Sequence, residues 1–209
     1  MNLANARGIL TCLLLTLAAA TQAQNARYEE GVHYKRIAAG ENAADGQASI
    51  LEVFWYGCGH CYAFDPLLNA WVAGKGEAVE FTRTPMIWDA TTTEHARLFH
   101  ASHALGLQRQ MHDRIFDEIH KKHNYLLDAA SVGALFADFG VSEADFTRTW
   151  KSFGVDAEMR KAETRQREIG IPSVPALIVN GTWLINTTDD VPSHQAMLDV
   201  ADYLLTLEP

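Results

Sequence analysis

The chain has 209 residues, and 48% of them are hydrophobic, which is enough for one folded domain with a substantial core. Its formal net charge of −9 argues against nucleic-acid binding and leaves no basic patch to attract an anionic membrane. The three cysteines are Cys12, Cys58 and Cys61, and the last two form a Cys-x-x-Cys motif.

The first 23 residues have the features of a signal peptide. Arg7 supplies a positive charge, residues 9–20 are largely apolar, and small residues up to Ala23 fit a cleavage site before Gln24. The apolar stretch is too short to span a bilayer comfortably. Cys12 lies inside this segment, so we expect the exported chain to keep a single cysteine pair in an oxidising compartment.

Three segments lead to the motif. Residues 28–37 alternate in polarity, which predicts a first, peripheral strand, and residues 38–47 are small and polar, as in a loop. Residues 50–56 are almost unbroken apolar residues, which predicts a strand buried on both faces. Glu52 is the exception, and burial there raises the pKa of its carboxyl group. The alternative is an exposed carboxylate at a strand end.

Gly57 permits a turn out of this strand, and apolar residues at helical spacing from Tyr62 onward predict a helix that begins near Cys58. Backbone N–H groups without helical partners then stabilise the Cys58 thiolate and lower its pKa, and a protonated His60 adds to this effect. Cys61 lies on the same helical face, deeper and less reactive, within reach of a disulfide. Because thiolate stabilisation favours the reduced form, the disulfide form is expected to be an oxidant.

Other uses of a Cys-x-x-Cys motif fit less well. A structural disulfide is an alternative, although so short a loop restrains the unfolded chain little. A zinc site needs about four ligands, and a second Cys-x-x-Cys is absent from the sequence. Covalent haem needs histidine directly after the second cysteine, where Tyr62 stands. A redox-active pair, with no metal and no cofactor, is the favoured interpretation.

The segment Glu-Val-Phe-Trp-Tyr-Gly-Cys-Gly-His-Cys-Tyr, residues 52–62, resembles the active-site segment of the DsbA family of bacterial thiol:disulfide oxidoreductases in the thioredoxin superfamily. The resemblance implies that Glu52 is the family's buried glutamate, and we expect it to act as a proton relay to Cys61. The best-known members carry proline and histidine between the cysteines. Gly59 and His60 stand here instead, as in eukaryotic protein disulfide isomerase, which implies a milder oxidant.

After a turn marked by Gly74 and Gly76, residues 78–84 alternate in polarity and predict another strand. Arg83 on this strand corresponds to a cation near the buried glutamate in relatives. The resemblance therefore implies a pairing between Arg83 and Glu52.

Residues 91–169 have helical patterns throughout and no strand signal. They divide into some five helices, with starts predicted at Thr92 or Thr93, at Asp128, at Ser142 and near Asp156. We interpret the region as an all-α insertion in an α/β domain, and the DsbA family carries such an insertion at this point.

Six histidines fall in this helical region: His95, His100, His103, His112, His120 and His123. Their spacing suits a metal site poorly, because His95 and His100 do not share a helical face and no acidic or cysteine ligand joins them in a known pattern. We interpret them as scattered histidines at the surface or its boundary.

The α/β pattern returns at residues 171–179, and Asn180-Gly181 then predicts a hairpin with a return strand at residues 182–185. Val174-Pro175 matches the cis-proline loop of the superfamily. The resemblance implies a cis bond that faces the cysteines and leaves the Val174 backbone free to pair with an extended peptide. A last helix is predicted at residues 191–205, with Asp189 or Asp190 as its cap.

The predicted fold is an α/β, thioredoxin-like mixed β-sheet with flanking helices and an inserted all-α helical domain. Residues 24–90 and 170–209 are assigned to the thioredoxin-like domain, and residues 91–169 to the insertion. The predicted function is a periplasmic thiol:disulfide oxidoreductase that transfers its disulfide to newly secreted, unfolded or partly folded proteins with free cysteines. The resemblance implies reoxidation by a membrane quinone-linked partner, and a monomer is expected.

Three alternative functions stay open. The closest is an isomerase or reductase that another partner keeps reduced, and Gly59 gives it some weight. A second is a non-catalytic peptide-binding or chaperone module. A third is a glutathione-transferase relative of the same fold, although such relatives generally lack the Cys-x-x-Cys motif.

Overall fold

A mixed five-stranded sheet forms the centre of the part of the chain that the computed structural model describes, residues 27–37 and 47–207. The strands are β1 (Lys35–Arg36), β2 (Ala48–Phe54), β3 (Val79–Pro85), β4 (Ala176–Val179) and β5 (Trp183–Asn186). Their order is β1-β5-β4-β2-β3, with β2 and β3 parallel and the other neighbours antiparallel. The predicted signal peptide, Cys12 and most of the predicted loop at residues 38–47 lie outside the described residues.

The predicted strands are confirmed at the centre of the sheet and shortened at its edge. In β2, Glu52 and Val53 point to opposite faces and both are buried, as expected of a strand covered on both sides. The predicted first strand is wrong in its extent, because only Lys35 and Arg36 pair with β5. Asn180 and Gly181 adopt positive φ angles in the turn that joins β4 to β5, so the hairpin is confirmed.

Seven α-helices occur within the described residues. They are α1 (Gly59–Lys75), α2 (Ala90–Ala104), α3 (Gln108–His120), α4 (Ala129–Asp138), α5 (Glu143–Trp150), α6 (Phe153–Ile169) and α7 (His194–Leu205). Helices α2 to α6 follow one another between β3 and β4, which confirms the all-α insertion. The domain boundaries at residues 90 and 170 stay a prediction. None of the helices in the described part of the chain has the length and apolarity needed to cross a bilayer.

The helix caps that the sequence predicted are only partly correct. Asp128 and Ser142 cap α4 and α5 as expected. The cap of α2 is Asp89, because its carboxylate accepts from the Thr92 N–H while the Thr92 hydroxyl accepts from the Asp89 N–H. Thr92 is thus the third helical residue and not the cap.

Two later helices also begin elsewhere than predicted. Helix α6 starts at Phe153, capped by the Ser152 hydroxyl, so the predicted start near Asp156 falls one turn too late. Helix α7 starts at His194 because the Ser193 hydroxyl accepts from a backbone N–H of its first turn, a role that the sequence analysis assigned to an aspartate.

Two large hydrophobic clusters both include residues of β2 and α1. One joins the sheet to α1 and α7 through residues such as Ile50, Leu68 and Leu198. The other joins the end of β2 and the buried Cys61 to the inserted helices. The start of α1 therefore lies where the sheet and the insertion pack together.

Candidate active site

The two cysteines lie at the start of α1, as predicted. Cys58 is the N-cap residue, and its sulfur accepts a hydrogen bond from the Cys61 backbone N–H at 3.4 Å. Cys58 is half-buried, whereas Cys61 has no exposed surface. Both side chains are free thiols in this structure, so the arrangement is that of the reduced pair.

The surroundings push the pKa values of the two thiols in opposite directions. The pKa of Cys58 is lowered to about 6, chiefly by a hydrogen bond from the Cys61 thiol. Burial opposes this shift, while the backbone N–H groups of Cys61 and His60 and the charge of His60 support it. Burial raises the pKa of Cys61. At neutral pH the pair is therefore a thiolate at Cys58 and a thiol at Cys61, and the neighbouring thiol contributes more than the helix start on which the sequence argument relied.

Gly59 and His60, between the cysteines, are both exposed. A Cβ atom added at Gly59 would meet no atom within 4 Å, so the space at this position accepts a larger residue. The His60 ring lies 6.3 Å from the ring of His194, the first residue of α7.

The Val174-Pro175 loop lies beside the cysteine pair. Its peptide bond is cis, as the resemblance implies. The Val174 carbonyl oxygen lies 3.7 Å from the Cys58 sulfur, and the Val174 side chain packs against the same hydrophobic cluster as Cys58. An extended peptide that pairs with Val174 would thus lie next to Cys58.

Glu52 is buried, with 1% of its surface exposed, which excludes the exposed alternative. It is in register with Arg83 on the neighbouring parallel strand, and Arg83 Nε donates to Glu52 Oε2 at 2.6 Å, so the predicted pairing is confirmed. Burial raises the pKa of Glu52 more than Arg83 lowers it. The charge of Glu52 in turn contributes to the raised pKa of Cys61. Its role as a proton relay stays a prediction.

Two polar residues of α1 that were not predicted from the sequence share Arg83 with Glu52. The Arg83 guanidinium also donates to Asp65 Oδ1 at 3.0 Å and to the Asn69 side-chain oxygen, while Asn69 Nδ2 donates to Asp65 Oδ2 at 2.8 Å. Asp65 and Asn69 follow Cys61 at successive intervals of four residues, so they lie on the helical face of the buried cysteine. This spacing is visible in the sequence and could have predicted that Asp65 and Asn69 lie behind the buried cysteine.

His112 of the insertion extends this buried network. Its Nε2 lies 3.1 Å from Asp65 Oδ1, and its Nδ1 lies 3.0 Å from the Tyr56 hydroxyl oxygen. Burial raises the pKa of Asp65, but the hydrogen bond and charge of His112, together with Arg83, outweigh burial and lower it overall. Two buried carboxyl groups therefore differ: Asp65 is held ionised, whereas Glu52 is the more easily protonated.

The prediction that the insertion histidines are surface or boundary residues is wrong for His95 and His112, which are only 2% and 3% exposed. Each has both ring nitrogens hydrogen-bonded, which offsets the cost of burial. His103 and His123 are exposed, as expected. His120 is half-buried and bonds the Tyr56 carbonyl oxygen through Nε2 at 2.8 Å. Across residues 27–37 and 47–207, no three His, Cys, Asp or Glu side chains are grouped to hold a metal ion.

Comparisons with known proteins agree with this geometry. A family model described as a DSBA-like thioredoxin domain matches residues 72–199. The thiol:disulfide interchange protein DsbA of Burkholderia cepacia is 32% identical over 198 residues, which cover 91% of this chain and 93% of that protein. The corresponding protein of Azotobacter vinelandii is 34% identical over 166 residues, covering 79% of this chain and 77% of that protein.

Solved structures show the same similarity. The crystal structure of Pseudomonas aeruginosa DsbA superposes with a TM-score of 0.78 at 28% identity, covering 85% of this chain and 93% of that chain. The B. cepacia relative and the solved P. aeruginosa structure thus each match most of this chain. The chain therefore belongs to the DsbA family of thiol:disulfide oxidoreductases.

Proposed function

We propose that this disulfide-forming oxidoreductase is exported to the periplasm and donates the Cys58–Cys61 disulfide to secreted proteins with free cysteines. The observation that carries the proposal is the placement of the two thiols at the start of α1, where the Cys58 sulfur accepts from the Cys61 backbone N–H and Cys61 is fully buried. This placement lowers the pKa of Cys58 to about 6 and raises that of Cys61. A sulfur whose thiolate is stable at neutral pH is a good leaving group, so the reduced pair is favoured once it has formed.

The reaction is a two-step exchange that moves two electrons. A substrate thiolate attacks the Cys58 sulfur, the bond to Cys61 breaks, and Cys61 leaves as a thiolate that takes up a proton. A second substrate thiolate then attacks the substrate sulfur of the mixed disulfide, and Cys58 leaves as a thiolate. The substrate loses two electrons and gains a disulfide, while the cysteine pair gains the two electrons. The Val174 backbone is proposed to hold the substrate segment by strand addition.

Glu52 is proposed to supply the proton that Cys61 needs. Its burial, its raised pKa and its electrostatic effect on Cys61 support this role. We expect Glu52→Gln to slow reduction of the disulfide by a dithiol and to flatten the pH dependence of that rate, because an amide gives up no proton in this range. Glu80→Gln, at an exposed position of β3, is the matched control. Identical pH profiles for both variants and the wild type would contradict the relay.

The reoxidising partner and the oligomeric state are part of the same proposal. A membrane quinone-linked protein is proposed to take up the two electrons, and the protein is proposed to act as a monomer. The signal-peptide features of residues 1–23 support export. Family membership supports secreted proteins as the substrates.

The direct test uses purified oxidised protein and a reduced, unfolded peptide with two cysteines. We expect one peptide disulfide to form for each Cys58–Cys61 disulfide consumed, measured by mass spectrometry after thiol alkylation. The equilibrium with glutathione then measures the strength of the oxidant. In cells, a pair found mostly oxidised supports disulfide donation, whereas a pair found mostly reduced would favour the isomerase or reductase alternative.

A further inference from the structure

The Trp55 backbone contacts Cys58 and influences Cys61. Its carbonyl oxygen accepts from the Cys58 N–H at 3.0 Å, and its backbone is among the groups that lower the pKa of Cys61, against the larger effect of burial. The indole ring covers Gly57, where an added Cβ atom would lie 2.3 Å from the ring. The position of Trp55 therefore sets the turn from which α1 and both sulfurs begin.

The Trp55 side chain is held by the insertion through His95. The indole Nε1–H donates to His95 Nδ1 at 2.9 Å, and His95 Nε2 lies 2.8 Å from the Tyr125 carbonyl oxygen. An indole N–H only donates and a carbonyl only accepts, so Nδ1 must be unprotonated and Nε2 must carry the hydrogen. His95 can therefore form both bonds only as one neutral tautomer.

The groups around His95 favour that neutral form. Burial lowers the pKa of His95, and the charge of His120 on α3 lowers it further. The Tyr125 carbonyl and the charge of Asp89, at the start of α2, act in the opposite direction but do not restore the ordinary value. His123 lines the same cavity of about 300 Å³ as His95, and the Tyr56 ring packs 6.4 Å from the His95 ring.

We propose that neutral His95 is a positioning residue for the Cys58–Cys61 pair, acting through Trp55, and that its protonation breaks the Trp55–His95 link between the pair and the helical insertion. The effect of His95 on disulfide exchange by the cysteine pair rests on the proposed function. The thiolate of Cys58 reports the effect without any protein substrate, since its stability depends on the turn that Trp55 holds.

The test measures the rate at which iodoacetamide alkylates Cys58 as a function of pH. The wild-type curve is expected to have its inflection near pH 6. In His95→Phe and in Trp55→Phe the indole–imidazole bond is lost, and we expect the inflection to rise by about half a unit or more, which lowers the rate at pH 5 about threefold. The inflection of the double variant should shift no further than that of either single variant, because both substitutions remove the same Trp55–His95 hydrogen bond.

Two further variants separate positioning from general damage. His95→Gln keeps one acceptor and one donor without titrating, so we expect it to keep the wild-type inflection. His103→Phe, at an exposed position of the same helix, is the matched control. In the wild type, acidification below the lowered pKa of His95 should shift the tryptophan emission, and this shift should be absent from His95→Gln and Trp55→Phe.

Failure of the proposed function and failure of this inference give different results. A wild-type protein that oxidises no peptide would contradict the proposed function alone. An unshifted alkylation curve in both His95→Phe and Trp55→Phe, or shifts that add in the double variant, would overturn the role of His95. If His95→Phe does not fold, the alkylation curve of Trp55→Phe decides the question, because that variant removes the indole donor and leaves His95 and its bond to the Tyr125 carbonyl oxygen in place.

Discussion

The Cys58→Ser variant is expected to transfer no disulfide, whereas Cys61→Ser is expected to accumulate mixed disulfides with its substrates. Cys58 is the half-exposed sulfur whose thiolate is stable at neutral pH, so it is the atom that substrates reach. In Cys61→Ser, the Cys58 thiolate can still attack a substrate disulfide and release one substrate thiol. The resolving thiol is then missing, and the mixed disulfide persists.

Non-reducing electrophoresis and intact-mass measurement distinguish the two variants. After incubation with a peptide that contains a disulfide, Cys61→Ser should gain the mass of one peptide chain, and dithiothreitol should remove it. Cys58→Ser should gain nothing, because Cys61 is buried and its pKa is raised. Adducts of Cys58→Ser at the wild-type rate would contradict the assignment of Cys58 as nucleophile. Full biological activity in the double serine variant would favour the chaperone alternative.

The Arg83→Met variant is expected to lose about 3–5 kcal/mol of unfolding free energy at neutral pH, the range observed when one partner of a buried ion pair is removed. Arg83 is the shared partner of Glu52 and Asp65, whose side chains are only 2% and 8% exposed. Without Arg83, the carboxyl groups of Glu52 and Asp65 stay buried but lose the positive charge and the hydrogen bonds that offset their burial. Arg148→Met is the matched control: its pair with Asp145 is exposed, so we expect a change within about 1 kcal/mol.

The loss in Arg83→Met should depend on pH in a specific direction. Removing the cation raises the folded-state pKa of Glu52 further above its unfolded value, so the folded state binds a proton that the unfolded state has lost. The loss of unfolding free energy is therefore small at pH values below the unfolded-state pKa of Glu52. It grows to its full size as the pH rises through the folded-state pKa that Glu52 has in the variant. Adding Glu52→Gln should recover part of it. Urea unfolding across this range measures both effects, and a loss that does not vary with pH would contradict the assignment of Glu52 as the protonating group.

The sequence by itself determined the features that depend on residues close together in the chain. The apolar strand, Gly57 and the helical spacing that follows place Cys58 at a helix start, because local backbone geometry decides where α1 begins. The Asn180-Gly181 hairpin and the caps of α4 and α5 were predictable for the same reason. The resemblance of residues 52–62 added Glu52 and its pairing with Arg83, which parallel neighbouring strands place in register.

Only the tertiary structure decided how the polar groups behind the cysteines are paired. Asp65 and His112 are 47 positions apart, and Trp55 and His95 are 40 positions apart, so no local pattern connects them. Histidine is not often fully buried, and the sequence therefore favoured surface positions. A buried imidazole is stable when each ring nitrogen has a partner, and those partners come from distant elements that meet only when the insertion packs against the sheet.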